Sequence, residues 1–189
     1  MVYPLFDTPN GDFAHNPEPL PQHLVALSET VREKHATVGF SVDPDVDRLA
    51  IIDENGLPFG EEYTLVAVAD YLLDYHGGGN TVSNLSSTRA LRDVTERGHR
   101  GSYAAAAVGE VNVVAKMAAT NALIGGEGNG GVIFPKLHAG RDALVGIALF
   151  LTLLAKKKKS VSELRREYPV YYMSKQRADL QEGTDTKAL

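Results

Sequence analysis

The sequence predicts an α/β protein, with a mixed, largely parallel sheet flanked by helices and preceded by a partial α/β domain. Three observations carry this prediction. From Thr81 onward, short β-branched runs alternate with helical patterns. Before them, Leu65, Val68, Ala69, Leu72 and Leu73 form an apolar stripe at helical spacing. Earlier still, two strand-like runs flank a turn that holds three aspartates.

In chain order, residues 1 to about 22 are rich in Pro, Asn and Asp and are expected to be irregular. His23 to Lys34 predicts a short amphipathic helix through Leu24, Leu27 and Val31. Val38 to Val42 and Leu49 to Ile52 predict strands, and Asp53-Glu54-Asn55-Gly56 a turn. Tyr63 to Tyr75 predicts a helix, ended by Gly77-Gly78-Gly79 because glycine adopts the left-handed conformation that closes helices. Then follow a strand (Thr81–Leu85), a helix (Ser87–Glu96), a strand (Ser102–Val108), a helix (Val111–Ala119) and a strand (Ala122–Gly125). After a glycine-rich loop come a strand (Val132–Phe134), a long buried helix (Asp142–Lys156) and a short helix (Val161–Glu167) capped by Ser160. One complete α/β unit is expected from about Leu57 to about Tyr168, with a polar tail from Ser174 to Leu189.

Composition narrows the function classes. The net charge of -5 and pI near 5.7 argue against nucleic acid as a partner. The one basic run, Lys156 to Lys159, falls where a helix ends, a pole that suits cations. Without cysteine there are no disulfides, thiol chemistry or Cys-based zinc site, which fits a cytoplasmic setting. Ala143 to Ala155, the longest apolar stretch, is shorter than the ~20 residues that span a bilayer, so no membrane association is expected.

The acidic turn is V-D-P-D-V-D-R, Val42 to Arg48. In an extended chain, Asp43, Asp45 and Asp47 would project to one side about 7 Å apart, and curling the loop would let them share an ion. Clustered carboxylates resist joint ionisation unless a cation relieves them. Mg2+ takes oxygen ligands and leaves positions open for phosphate or water, and Arg48 adds a fixed charge suited to phosphate. A solvated acidic turn is the plain alternative. An EF-hand is disfavoured because Arg48 stands where the calcium loop needs glycine. A phosphatase with an aspartate nucleophile is disfavoured because no Thr or Ser completes a D-x-D-x-T pattern.

In the second motif, Gly125 to Gly131 (G-G-E-G-N-G-G), only Glu127 and Asn129 carry side chains. A carboxylate there can accept bonds from two neighbouring hydroxyls, as a sugar presents. The plain alternative is a flexible hairpin with Glu127 in water. No G-x-x-x-x-G-K-[ST] pattern is present, which excludes a P-loop.

Together the motifs resemble those of one family. D-P-D-V-D-R at Asp43–Arg48 resembles the D-G-D-x-D-R metal loop of the α-D-phosphohexomutases. G-E-G-N-G-G at Gly126–Gly131 resembles the variant of their sugar loop found in archaeal-type phosphoglucosamine and phosphomannomutases, and V-G-E at Val108–Glu110 resembles a turn of the same branch. The likeness runs from about Asp7 to Lys175. It implies a four-domain enzyme that moves phosphate between C1 and C6 of a hexose or hexosamine phosphate through a phosphoserine and Mg2+. On this likeness, Asp43, Asp45 and Asp47 are the Mg2+ ligands, Arg48 contacts phosphate, and Glu127 and Asn129 bind the sugar.

Departures shape the expectation. Pro44 replaces the usual glycine, Gly131 stands where many members have histidine, and Ala107 occupies the place of a lysine acid/base candidate. The T-A-S-H-N-P nucleophile loop is absent; Ala14-His15-Asn16-Pro17 imitates it with alanine, which cannot carry phosphate. The R-[PST]-S-G-T-E-P phosphate loop is absent as well. The chain is therefore expected to match the end of domain two with the metal loop (1–56), domain three with the sugar loop (57–170) and a linker towards a fourth domain (171–189). Its nucleophilic serine would lie outside this chain, which would be inactive alone. Its partners would be the sugar phosphate and the enzyme's other domains, with self-association through apolar surface left exposed. A natural non-catalytic sugar-phosphate-binding or interaction protein is the alternative.

Overall fold

The computed structural model describes residues 1–174, and the part of the expected linker beyond Ser174 lies outside the described residues. The first residues form no helix or strand until a 3-10 turn at Pro21–His23, followed by helix α1 (Val25–Glu33). Strands β1 (Gly39–Val42) and β2 (Leu49–Ile52) pair antiparallel around the acidic turn, Gly39 opposite Ile52 and Val42 opposite Leu49. Every residue of β2 is buried because its two faces meet different partners. Ala50 and Ile52 pack with Leu24 and Val31, whereas Leu49 and Ile51 enter the main core.

Helix α2 (Glu61–His76) buries its apolar stripe and ends at Gly77, left-handed at φ 71° as expected of its glycines. The chain continues through β3 (Asn80–Asn84), α3 (Ala90–Asp93), β4 (Tyr103–Ala106), α4 (Glu110–Thr120), β5 (Ala122–Gly126), β6 (Val132–Ile133), α5 (Ala143–Lys157) and α6 (Val161–Arg165). Sheet order is β4-β3-β5-β6. Strand β3 runs parallel to both β4 and β5, and only β6 is antiparallel, so the sheet is mixed and largely parallel. Val113 and Met117 of α4 cover Val82, Ala106 and Ile133, while α2 and α5 contribute to the main core.

Two helices differ in character from the sequence prediction. The helix expected from Ser87 begins at Ala90, because the Ser87 hydroxyl donates to Asn84 Oδ1 (2.6 Å) instead of capping. It then widens into a π-helical turn over Val94–Gly98, where buried Thr95 donates its hydroxyl to the Leu91 carbonyl (2.8 Å). Helix α5 is buried on one side only: Gly146, Phe150 and Leu153 face inward, while Leu144 and Leu151 are exposed. Its Phe150 ring meets Phe59 and Phe40 edge-on, at 5.2 and 6.1 Å between centroids, tying β1 to the main core.

The C-terminal end of the described chain is strapped down. Ser160 caps α6 in a reciprocal capping box with Glu163. Glu54, in the turn after β2, accepts from the Ser162 hydroxyl at 2.5 Å and its amide at 3.2 Å. Burial acts to raise the Glu54 pKa, but these bonds outweigh it and hold the carboxyl down at about 2. Arg165 stacks 3.4 Å over the Tyr63 ring, and the Tyr63 hydroxyl donates to the Pro169 carbonyl (2.8 Å). Lys156 to Lys159 are exposed at the end of α5, as the sequence suggests. Among the described residues, no helix is long and apolar enough to cross a membrane.

Candidate functional site

Ligands in α/β sheets gather beyond the carboxyl ends of parallel strands, where loops can converge. Here three such ends supply one cluster. Asn84 closes β3, Gly109 and Glu110 follow β4, and Glu127 follows β5. Glu127 is buried, and its Oε1 accepts from Asn84 Nδ2 at 2.7 Å and from the Gly109 amide at 3.2 Å. Its Oε2 accepts from Arg141 Nη1 at 2.7 Å. A carboxylate offers about four acceptor sites, and these three bonds leave Glu127 one. The structure therefore rules out a Glu127 that merely faces water. Two sugar hydroxyls would both fit only if Arg141 withdrew. Asn129 turns its Oδ1 back onto the Gly131 amide (3.2 Å), closing the loop on itself.

The glycines of this loop are required by packing. Gly130 sits at φ 89°, and a Cβ on it would lie 2.3 Å from the Leu49 carbonyl oxygen. That close approach lets Leu49 N–H donate to the Gly130 carbonyl (3.2 Å) and Arg48 bridge to Gly131. Motifs some eighty residues apart in sequence thus become edge neighbours.

The acidic loop is a turn in which Val46 N–H donates to the Asp43 carbonyl (3.0 Å), with Pro44 in the position where its fixed φ suits a turn. Val46 takes φ 59°, left-handed and uncommon for a β-branched residue. Asp43 is buried; its Oδ1 accepts from the Asp47 and Arg48 amides, both at 3.0 Å, and its Oδ2 from Arg48 Nε at 2.5 Å. Burial acts to raise the Asp43 pKa, but the Arg48 side chain and these amides outweigh it and hold the group below the usual carboxylate range. Asp45 is exposed. Asp47 Oδ2 accepts from Arg141 Nη2 at 2.5 Å, while Oδ1 is buried with no hydrogen-bond partner. Burial, with the nearby charges of Asp43 and Asp45, pushes the Asp47 pKa up despite Arg141. Arg48 also reaches Glu18 through Nη1 (3.0 Å).

Of the residues singled out from sequence, the fold brings Asp43, Asp47, Arg48 and Glu127 into one charged cluster. It leaves Asp45 at the surface and Asn129 bonded within its own loop. Among the described residues no group of three or more His, Cys, Asp or Glu side chains is arranged to enclose a metal ion; arginines hold the carboxylates instead.

The residue that joins the motifs, Arg141, belongs to neither. It precedes α5 by two positions, beside Asp142, whose side chain caps that helix by accepting from Val145 N–H (2.9 Å). Its guanidinium meets Asp47, Glu127 and, at 3.3 Å, Glu110, while its own amide donates to Glu110 Oε1 (3.0 Å). Sequence reasoning missed it because one arginine in a loop forms no pattern. The available hint was the excess of acid in the two motifs, which calls for a buried cation. From the Ala14-His15-Asn16-Pro17 stretch, Ala14, His15 and Pro17 line one cavity with Asp43, Pro44 and Val46 of the acidic loop, and the His15 ring packs on Phe6 at 4.8 Å.

Residues 60–171 match the family model "Phosphoglucomutase/phosphomannomutase, alpha/beta/alpha domain III", and residues 1–56 match the corresponding domain II model. A "Phosphoglucomutase/phosphomannomutase" of Thermococcus kodakarensis is 38% identical over 182 residues, covering 96% of this chain and 39% of the relative. A "Probable phosphoglucosamine mutase" of Methanopyrus kandleri is 32% identical over 86% of this chain and 36% of its own length. The solved structure of a phosphoglucomutase/phosphomannomutase family protein from Burkholderia thailandensis superposes with a TM-score of 0.74 and 27% identity, over 82% of this chain and 34% of that one. The chain thus spans well under half the length of these relatives. It belongs to the phosphoglucomutase/phosphomannomutase family, of which it carries domains II and III in the α/β/α form.

Proposed function

We propose that this chain supplies the metal loop and the sugar loop of an α-D-phosphohexomutase. The parent enzyme would be an intramolecular phosphotransferase acting between C1 and C6 of a hexose or hexosamine phosphate. One observation carries the reading: Arg141 bonds Asp47 of the acidic loop and Glu127 of the glycine loop at once, so the two motifs form one site.

The donor set suits a hard divalent cation such as Mg2+. Asp43, Asp45 and Asp47 offer only carboxylate oxygens, and Asp47 Oδ1 is a buried acceptor that no hydrogen bond satisfies. Held by these residues, the ion would supply positive charge beside a phosphoryl oxygen. Arg48 would bind phosphate through its guanidinium, which Asp43 and Glu18 hold in place. Glu127, oriented by Asn84 and Gly109, would accept a hydrogen bond from a sugar hydroxyl, and the Asn129 amide would donate one. The phosphoryl-carrying serine would come from outside this chain. The names of the relatives support glucose, mannose and glucosamine phosphates as candidates, and the G-E-G-N-G-G loop favours the latter two.

The test is a mutase assay of the polypeptide encoded by the complete gene, offered glucosamine, mannose and glucose 1-phosphates with Mg2+. Turnover of at least one is expected, with loss in Asp47→Asn and Glu127→Gln. A folded product that turns over none of the three sinks the reading.

A further inference from the structure

Arg141 is more deeply engaged than a loop-stapling residue needs to be. Its side chain is 19% exposed and meets Asp47 and Glu127, themselves only 17% and 5% exposed. Glu18, Asp43, Asp47, Glu110 and Glu127 together outnumber Arg48 and Arg141, so the cluster is short of positive charge. The shortage shows at Asp47 Oδ1, a buried acceptor that no hydrogen bond satisfies and that meets Arg48 Nε only as an ion pair at 3.8 Å. The backbone also makes room for this arginine. A Cβ on Gly131 would lie 2.5 Å from Arg141 Cδ and 3.1 Å from its Cγ, so any larger residue there displaces the side chain.

We propose that Arg141 is a resident counter-ion, holding Asp47 and Glu127 until a divalent cation claims the first and a sugar hydroxyl the second. It is a positioning residue that couples the two loops. The inference rests on the acidic loop being a metal loop. A cation at Asp47 displaces one arm of the guanidinium, and the freed Arg141 can then swing away from Glu127, opening a second acceptor site there. Competition of this kind lowers the apparent affinity of each ligand in proportion to how fully Arg141 is seated. It also makes the two ligands assist each other, because whichever binds first meets the cost of moving the arginine. Gly131 and Arg141 act as a pair: the absent side chain at one is the space for the other.

The experiment measures Mn2+ binding to the full 189-residue chain, by loss of the free-ion paramagnetic signal, in wild type, Arg141→Met, Gly131→Ala and Asp47→Asn. Near-UV circular dichroism checks that each is folded. Removing the competitor should tighten Mn2+ binding about tenfold in Arg141→Met. Gly131→Ala should shift it in the same direction, and Asp47→Asn should abolish it in every background. A merely structural Arg141 predicts weaker binding on its removal. Equal or weaker binding by folded Arg141→Met, with Asp47→Asn still abolishing it, therefore overturns the counter-ion role and leaves the metal loop standing. If neither wild type nor Arg141→Met binds Mn2+, or if Asp47→Asn binds as wild type does, the metal-loop reading fails and this inference with it. Should Arg141→Met not fold, Gly131→Ala carries the test under the same criteria.

Discussion

In the glycine-rich loop, Glu127 is enclosed and receives three hydrogen bonds; in the acidic loop beside it, Asp47 is partly enclosed and one of its oxygens receives none. The first loop is determined by packing. Gly128 and Gly130 are pressed against the Ser86 and Leu49 carbonyl oxygens, so its path is nearly independent of what it binds. The second is determined by charge. Pro44, a left-handed Val46 and the Asp43 carboxylate, which accepts from two of the loop's amides, shape its backbone, and its carboxylates borrow arginines. The contrast separates a preorganised loop from one left electrostatically incomplete, the arrangement that the proposed metal loop would require.

The contrast can be broken most strongly at Glu127. Glu127→Ala strands the Asn84 and Gly109 donors and one arm of Arg141, and should cost about 3 kcal/mol of unfolding free energy by urea titration. A loss below about 1 kcal/mol would remove the claim that this loop is preorganised. Next in size, Gly130→Ala meets both the Leu49 carbonyl and an unfavourable φ, and should cost about 2–3 kcal/mol. Replacing Pro44 with glycine in the acidic loop should cost less than about 1 kcal/mol, mostly through the unfolded chain. Equal effects at the two positions would erase the distinction between the loops.

A third, smaller effect concerns pH. The Glu54 pKa is held at about 2, below its ordinary 4.5, so its ionised form is favoured by folding. Its contribution is complete above the unfolded value and is lost as pH falls from about 4.5 through 2. Solvent screening keeps it to about 1 kcal/mol. Glu54→Gln should thus narrow the stability difference between pH 6 and pH 3, measured by thermal melting; an unchanged difference would deny the Glu54–Ser162 contact that role. Asp47, its pKa raised, works in the opposite sense, destabilising the fold while ionised and relieved as it protonates. Smallest of all, Asp45→Ala should leave stability within about 0.5 kcal/mol, because Asp45 is exposed. It should nevertheless weaken metal binding, and calorimetry showing Mg2+ affinity unaffected would exclude it from the ligand set.

Much of this architecture is legible in the sequence because it is encoded locally. Apolar residues three and four apart mark α2, the triple glycine marks its end, and Ser160 with Glu163 marks the start of α6. The alternation of runs after Thr81 gives the parallel sheet, since parallel strands need crossovers. Both charged motifs are also visible, because their residue types are improbable without a chemical purpose. Where Ser87 points is not local: its hydroxyl serves Asn84, and the helix starts later for that reason. The exposed face of α5 escaped notice because a helix of nearly uniform apolar composition does not say which side lies on the sheet.

The sequence alone, then, determined the order of elements, the family likeness and the positions of the acidic and glycine loops, all of which depend on neighbours within a few residues. The tertiary structure decided that those loops share an edge at Leu49 and Gly130, that Asp43 is spent on Arg48 while Asp47 keeps an unsatisfied oxygen, and that Arg141 joins them. Each of these depends on which distant groups exclude water together. The strength of a charge contact is set by that burial, which no local pattern of residues records.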